Sequence, residues 1–174
     1  MDGYMHISHT FLPVYDENSR VLILGSFPSV KSREQGFYYG HPQNRFWKVI
    51  AAICNTEVPK TIDDKKAMLL ANRIAIWDVI DSCDIKGSSD SSIRNVVPAD
   101  IAWLLKKTNI NAVYANGRTA GKLYEKYIEA GAGLSARVLP STSPANATSS
   151  LTKLIEVWGA AISEEIGGDK DGII

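Results

Sequence analysis

Residues 21–47 read VLILGSFPSVKSREQGFYYGHPQNRFW. Four aliphatic residues in a row, Val21 to Leu24, stop abruptly at Gly25-Ser26-Phe27-Pro28-Ser29. An unbroken aliphatic run predicts a strand over Arg20 to Leu24 that is covered on both faces, as strands of parallel sheets are. Open α/β proteins build sites in the loops that leave the carboxyl ends of such strands. The loop here carries Tyr38, Tyr39, His41 and Asn44 among prolines and glycines, more chemistry than a connecting loop needs. It suits a flat, uncharged ring with an attacking group held beside it.

The rest of the chain repeats the pattern of strand, polar loop and helix. Phe46, Trp47, Ile50 and Ile53 recur at helical spacing, which predicts a helix over Asn44 to Ile53 with Asn44 as its cap. Thr61 precedes a second helix with acids in its first turn. Ile74 to Val79 reads as a strand, residues 81–92 (DSCDIKGSSDSS) as a serine-rich loop, and Pro98 to Lys107 as a short helix. Asn111 to Tyr114 is a third strand that stops at Asn116-Gly117, and Arg118 to Ile128 the helix after it. A fourth strand, Arg137 to Leu139, runs into a second unusual loop, Ser141 to Ser150, and then a helix over Leu151 to Ile162. Four strands separated by helices predict an α/β fold, a three-layer α/β/α sandwich around a four-stranded, mainly parallel sheet. Residues 1–174 read as one domain, with a frayed tail after about residue 166.

A chain of 174 residues with 45 % apolar content can bury a sizeable core. It has no run of 18 apolar residues, its start lacks the pattern of a signal peptide, and its cysteines number two, so a cytoplasmic protein with reduced thiols is expected. Net charge is zero, yet Lys31, Arg33, Arg45 and Lys48 face only Glu34 within residues 25–48, and residues 110–154 are also basic. That asymmetry allows one positive face. Neither GxxxxGK[ST] nor GxGxxG follows the first strand, and GxSxG is absent, which excludes a phosphate-loop nucleoside triphosphatase and argues against an α/β-hydrolase. His6, His9 and His41 lack zinc-site spacing and there is no CxxC, so neither a metal nor another cofactor is expected.

Cleavage of a nucleotide's glycosidic bond fits such loops. The base must be gripped, a water held at the sugar, and the flanking phosphates bound by hydroxyl and N–H donors. In a duplex the base must also be flipped out, at a cost of about a few kcal/mol. Four motifs carry a resemblance: LILGSFPS at 22–29, GFYYGHPQNRFW at 36–47, IAIWDVIDSCDIKGSSDSSIRN at 74–95 and LPSTSPAN at 139–146. Together they resemble the uracil-DNA glycosylase superfamily, nearest to its hypoxanthine-DNA (deoxyinosine) branch and related to the mismatch-specific uracil enzymes.

The resemblance implies a monofunctional enzyme that hydrolyses deoxyinosine to hypoxanthine and an abasic site, acting as a monomer on DNA with deaminated bases and not on membranes. Phe27 stands where mismatch-specific relatives carry a water-positioning asparagine, and the family signature gives Asn44 the catalytic place. It also implies base contacts from Phe27, Tyr39, Tyr38 and Asn116. DNA contacts are expected from Ser26, Ser29, His41, Ser88, Ser141, Ser143 and Asn146. Asp78 and Asp84 read as braces for their loops, and the four tryptophans as packing residues. The alternatives are a uracil or xanthine glycosylase of mismatches, a non-catalytic binder of damaged DNA, and a small-molecule nucleosidase.

Overall fold

The structure is a computed structural model that describes residues 3–87 and 89–172, with the side chains of residue 90 and of residues 167–172 outside the description. Its elements in chain order are β1 (Met5–Ser8), β2 (Val21–Gly25), α1 (Val30–Gln35), α2 (Phe46–Ile53), α3 (Ile62–Ala71), β3 (Ile74–Asp78) and β4 (Ile80–Ile85). There follow β5 (Arg94–Pro98), α4 (Ile101–Lys107), β6 (Ala112–Asn116), α5 (Arg118–Tyr127), α6 (Glu129–Ala132), β7 (Ala136–Leu139) and α7 (Leu151–Gly172).

The aliphatic run is the centre of the molecule. Strands are ordered β3-β2-β6-β7, and every pairing is parallel. Val21, Leu22, Ile23 and Leu24 are all fully buried. Successive side chains of a strand point to opposite faces, and the core divides accordingly. Val21 and Ile23 pack with Phe46, Ile50, Leu69 and Trp158, from α2, α3 and α7. Leu22 and Leu24 pack with Ile101, Leu104 and Tyr124, from α4 and α5. Each such aliphatic side chain stabilises the fold by about 1.5–3 kcal/mol when fully buried.

The helices after the strands stand where the periodicity puts them, with shifted ends. α2 starts at Phe46, two positions after the expected Asn44. α7 continues to Gly172, past the expected end at Ile162 and into the stretch expected to fray. α1 lies inside the long loop, unforeseen because it is only one and a half turns long; Ser29 caps its start and Gly36, with φ 72°, ends it.

A second sheet is the main departure from the reading above. Strands β1, β4 and β5 form a three-stranded antiparallel sheet. Residues 81–85, expected in a loop, are therefore a central strand, and the sheet content is mixed parallel and antiparallel. The serines and aspartates of β4 have low strand propensity, but its backbone is paired on both sides, and Ile80, Cys83 and Ile85 bury themselves against Ile7, Phe27 and Val96. The partners lie at residues 5–8 and 94–98, beyond any local pattern. Asp84 serves there as a brace, as expected: it accepts from His6 Nδ1 at 2.9 Å and from Asn95 Nδ2 at 2.8 Å. Trp103 is not a core residue; it is 44 % exposed, with Lys107 Nζ 4.7 Å from its ring centroid.

Candidate active site

Parallel pairing brings the strand ends to one edge. Asp78 closes β3, Gly25 closes β2 in register with it, and Asn116 closes β6 in register with Leu139 of β7. The loops leaving these ends enclose a cleft of about 640 Å³, within the size range of small-molecule sites. Ser26, Phe27, Ser29, Tyr38, Tyr39, His41, Asn44, Asn116, Ser141 and Ser143 all line it, so the fold gathers residues expected at the site from four separate segments. Asn146 does not line it, and Ser88 lies outside the described residues. Ser89, beside it, reaches the cleft.

Asn44 is held by an ordered relay. Its Oδ1 accepts the Phe46 backbone N–H at 2.9 Å and the Thr142 hydroxyl at 2.8 Å. Thr142, fully buried, accepts in turn from Asn116 Nδ2 at 3.0 Å, and its own N–H donates to Asn116 Oδ1 at 3.0 Å. The Phe46 N–H can only donate, so the acceptor end of the Asn44 amide is the one turned toward it. An amide oxygen with two donors is filled. The end of Asn44 left over is Nδ2, which makes no hydrogen bond among the described residues. Asn116 is likewise committed at both ends to Thr142, so it shapes the pocket wall by holding the 141–150 loop.

Arg45 is the anchor of that loop. Its backbone N–H and Nε donate to the Thr142 carbonyl, at 3.0 and 3.4 Å. Nη2 donates to the carbonyls of Ser143 and Asn146, each at 2.9 Å, and Nη1 to that of Ser149. A planar guanidinium with five fixed donors can collect carbonyls from one curved segment in this way. Ser141, Thr142 and Ser143 all line the cleft, and the Thr142 hydroxyl is spent on Asn44. Ser141 Oγ accepts the Ser143 N–H and Ser143 Oγ the Ala145 N–H, each at 3.1 Å. Their hydroxyl protons are committed to no acceptor among the described residues. Arg45 was counted above in the local basic excess; its guanidinium is spent on backbone carbonyls.

Tyr39 occupies a left-handed backbone conformation, φ 52°, which is strained for a non-glycine residue. Phe46 holds its ring by stacking at 4.0 Å with 18° between the planes. The Tyr39 hydroxyl is enclosed and makes no hydrogen bond of normal geometry. Burial, then the charge of Asp78, push its ionisation far above the ordinary tyrosine range, and the Asn116 amide opposes them weakly. Tyr38, 1 % exposed, donates its hydroxyl to the Leu12 carbonyl at 2.9 Å and packs edge-on to Phe11 at 4.7 Å, so it forms a fixed wall. Phe27 stands under the Arg33 guanidinium, 5.7 Å from the ring centroid. His41 Nδ1 accepts the Gln43 N–H at 3.1 Å, and Ser29 Oγ accepts the Ser32 N–H at 3.2 Å; both brace their loop.

Two residues that line the cleft, Thr142 and Asp78, and two that hold it from behind, Arg45 and His9, had no site role in the sequence reading. Thr142 and Arg45 sit inside the quoted motifs, but nothing local marks a side chain that will face residues about a hundred positions away. Asp78 was taken as a brace. It is one, since its Oδ2 accepts from His9 Nε2 at 2.8 Å with both side chains 5 % exposed or less, but it also lines the cleft. Gly25 makes room for it: a Cβ there would lie 2.5 Å from Asp78 Oδ1 and 3.1 Å from the Tyr39 hydroxyl. Gly25→Ala should therefore destabilise by about 1–3 kcal/mol through overpacking, read as a lowered Tm; an unchanged Tm would show that the Asp78 carboxylate moves aside without cost. Among the described residues no three His, Cys, Asp or Glu side chains gather as a metal ion would require, and no helix is long and apolar enough to cross a membrane.

Residues 12–160 match the family described as the Uracil DNA glycosylase superfamily. A curated protein from Methanosarcina acetivorans, named hypoxanthine DNA glycosylase, is 37 % identical over 142 residues, covering 80 % of this chain and 89 % of its own. One of the same name from Methanosarcina barkeri is 33 % identical over 138 residues, covering 78 % and 86 %. The solution NMR structure of a candidate uracil DNA glycosylase from Methanosarcina acetivorans superposes with TM-score 0.76 at 35 % identity, covering 90 % of this chain and 96 % of that one. With a cleft at the carboxyl edge of its parallel sheet, the molecule falls in the class of glycosylases that act on deaminated DNA bases. The chain belongs to the uracil DNA glycosylase superfamily.

Proposed function

We propose that this protein is a monofunctional DNA glycosylase that releases hypoxanthine from deoxyinosine in DNA and leaves an abasic site. The observation that carries the reading is the relay Asn116–Thr142–Asn44, which presents one amide nitrogen to the cleft in a fixed direction. In this reading Asn44 Nδ2 donates to the oxygen of a water and holds it beside C1′ of the flipped nucleotide. As the C1′–N9 bond breaks, the base leaves as an anion with the bonding pair, and the water adds to C1′ and loses one proton, which balances the proton taken up by the departing hypoxanthine. An amide is a poor base, so its contribution is position and orientation. Tyr39, with one face already on Phe46, offers the other to the purine. The free hydroxyl protons of Ser141 and Ser143 grip the phosphates beside the lesion. The names of the two curated relatives support hypoxanthine as the base. The same reading includes a three-layer sandwich, a single domain, a monomer and a cytoplasmic location.

The direct test is incubation with duplexes carrying inosine, uracil or xanthine, followed by alkaline cleavage of abasic sites. Inosine strands should be cut fastest; intact strands throughout would refute the activity. DNA binding should also respond to salt. Log affinity falls by about 0.9 per log unit of salt for each phosphate neutralised. With Arg45 turned inward, Lys31 and Arg33 are the basic residues that line the cleft, so a slope near −1.8 is expected from about two contacts. A flat salt titration would remove the phosphate-facing assignment of this edge.

A further inference from the structure

The antiparallel sheet of β1, β4 and β5 walls one side of the cleft and turns its other face outward. Its apolar residues Ile7, Cys83, Ile85 and Val96 pack with Phe27, which lines the cleft. Ile85 and Ser89 line the cleft as well. The sheet also springs from the carboxyl edge: the N–H groups of Val79 and Ile80 donate to the carbonyls of Gly25 and Ser26, at 2.8 and 3.1 Å. Successive strand side chains alternate between faces. Tyr4, His6, Asp84 and Lys86 therefore share the outward face, and Arg94, opposite Asp84 in the register, joins them.

On that face two exposed cations share one aromatic ring. The Arg94 guanidinium carbon lies 3.5 Å from the Tyr4 ring centroid, and Lys86 Nζ lies 5.6 Å from it. Asp84, on the same face, has each oxygen engaged, Oδ1 by His6 and Oδ2 by Asn95. An aromatic ring attracts a cation without cancelling its charge, so Tyr4 fixes two positive charges side by side. Such a pair fits an anion whose charge repeats along its length. Its place says which anion. Lys86 follows Ile85 directly and precedes Ser89 by three residues, so a reach of at most about 3.6 Å per residue keeps it within about 11 Å of both. Nucleotides of one strand follow each other about every 3.4 Å. We infer that Lys86 and Arg94, held by Tyr4, bind the DNA backbone on one side of the lesion, within about three nucleotides of the one in the cleft. The inference rests on the glycosylase reading and adds to it the face along which the flanking DNA runs.

Duplex length and salt together test this. Lys31 and Arg33, which line the cleft, give a slope near −1.8 when the DNA does not reach the sheet. On an inosine duplex with about ten pairs on each side of the lesion, the parent's slope should steepen to about −3.6, since each further phosphate contact adds about 0.9. Trimming one flank to a single pair should return it to about −1.8. Lys86→Gln and Arg94→Gln should each make the long-duplex slope shallower by about 0.9, and the double variant by about 1.8. Arg94→Lys keeps the charge without the planar stack and should keep the slope, which a purely structural role for the guanidinium would not predict. A double variant that melts as a folded protein and has the parental slope on the long duplex would overturn the assignment and leave the face to a partner other than DNA. The parent supplies a check that does not depend on any variant: a slope that neither flank's trimming changes overturns the assignment too. If the parent releases none of hypoxanthine, uracil and xanthine, the glycosylase reading falls first and this inference with it, an outcome distinct from an active parent indifferent to Lys86 and Arg94.

Discussion

Asn44→Ala is expected to lower the single-turnover rate of hypoxanthine release on the order of 10²-fold or more, the range for a positioned catalytic group. Affinity for an inosine duplex should change far less, because in the proposed mechanism the interaction lost is one made with the attacking water. Two other bonds disappear with the side chain. Its oxygen holds the N–H of Phe46, the first residue of α2, and the hydroxyl of Thr142. Loss of a helix-capping contact costs about 0.5–2 kcal/mol, so melting curves must accompany the kinetics. Asn44→Asp separates the roles. A carboxylate keeps an oxygen for Phe46 and Thr142, and its Tm should stay nearer the parent's. It replaces the Nδ2 donor with an acceptor, so its rate should fall with that of alanine, and its added charge should weaken DNA binding. Parental rate in a folded Asn44→Ala would leave Asn44 as a structural contact only. Parental rate in Asn44→Asp would show that an acceptor, and not the Nδ2 donor, serves the water.

Arg45→Lys is the second change with a large expected effect, although Arg45 is not among the residues lining the cleft. Lysine keeps the charge but offers a single ammonium where the guanidinium reaches four carbonyls of one loop. The 141–149 segment should lose its curvature, and with it the position of Thr142 that orients Asn44. Misplacement of a catalytic group by about 1 Å can cost on the order of 10²-fold in rate, and that is the loss expected here. Stability should fall by about 1.5–3 kcal/mol, the range for a hydrogen bond to a charged group. Amide exchange in residues 141–149 should accelerate while that of β2 stays slow. The salt slope of DNA binding should not change, because the charge is retained and the parental guanidinium does not face phosphate. Parental rate and parental exchange in Arg45→Lys would show that the loop holds itself.

The fold was legible where burial and periodicity agree. Val21 to Leu24 declared a doubly covered strand because a strand with helices on both faces has no side on which to place a polar residue. The helices that follow the strands announced themselves through apolar residues at helical spacing, as in Phe46, Ile50 and Ile53. Their ends were less clear. Asn44 has the right chemistry for a cap and does bond the first turn, yet Thr142 shares its oxygen and the helix begins at Phe46. The antiparallel sheet was illegible for a different reason. Residues 81–85 are polar and read as loop, and only pairing with residues 5–8 and 94–98 makes them a strand.

At the site, tyrosine, histidine, asparagine and serine clustered after strand ends marked the loops that come together around the cleft. Local patterning also determined the parallel core, since hydrophobic spacing is a property of neighbouring residues. Orientation was decided by contacts between residues far apart in the chain. Thr142 fills the acceptor end of Asn44, Arg45 gathers the carbonyls of the 141–149 segment, and His9 holds Asp78 in the space that Gly25 leaves for its carboxylate. Hydrogen bonds are short and directional, so the role of a polar side chain depends on partners within about 3 Å in space. For these residues the partners are about seventy to a hundred positions away along the chain, and folding alone brings them together.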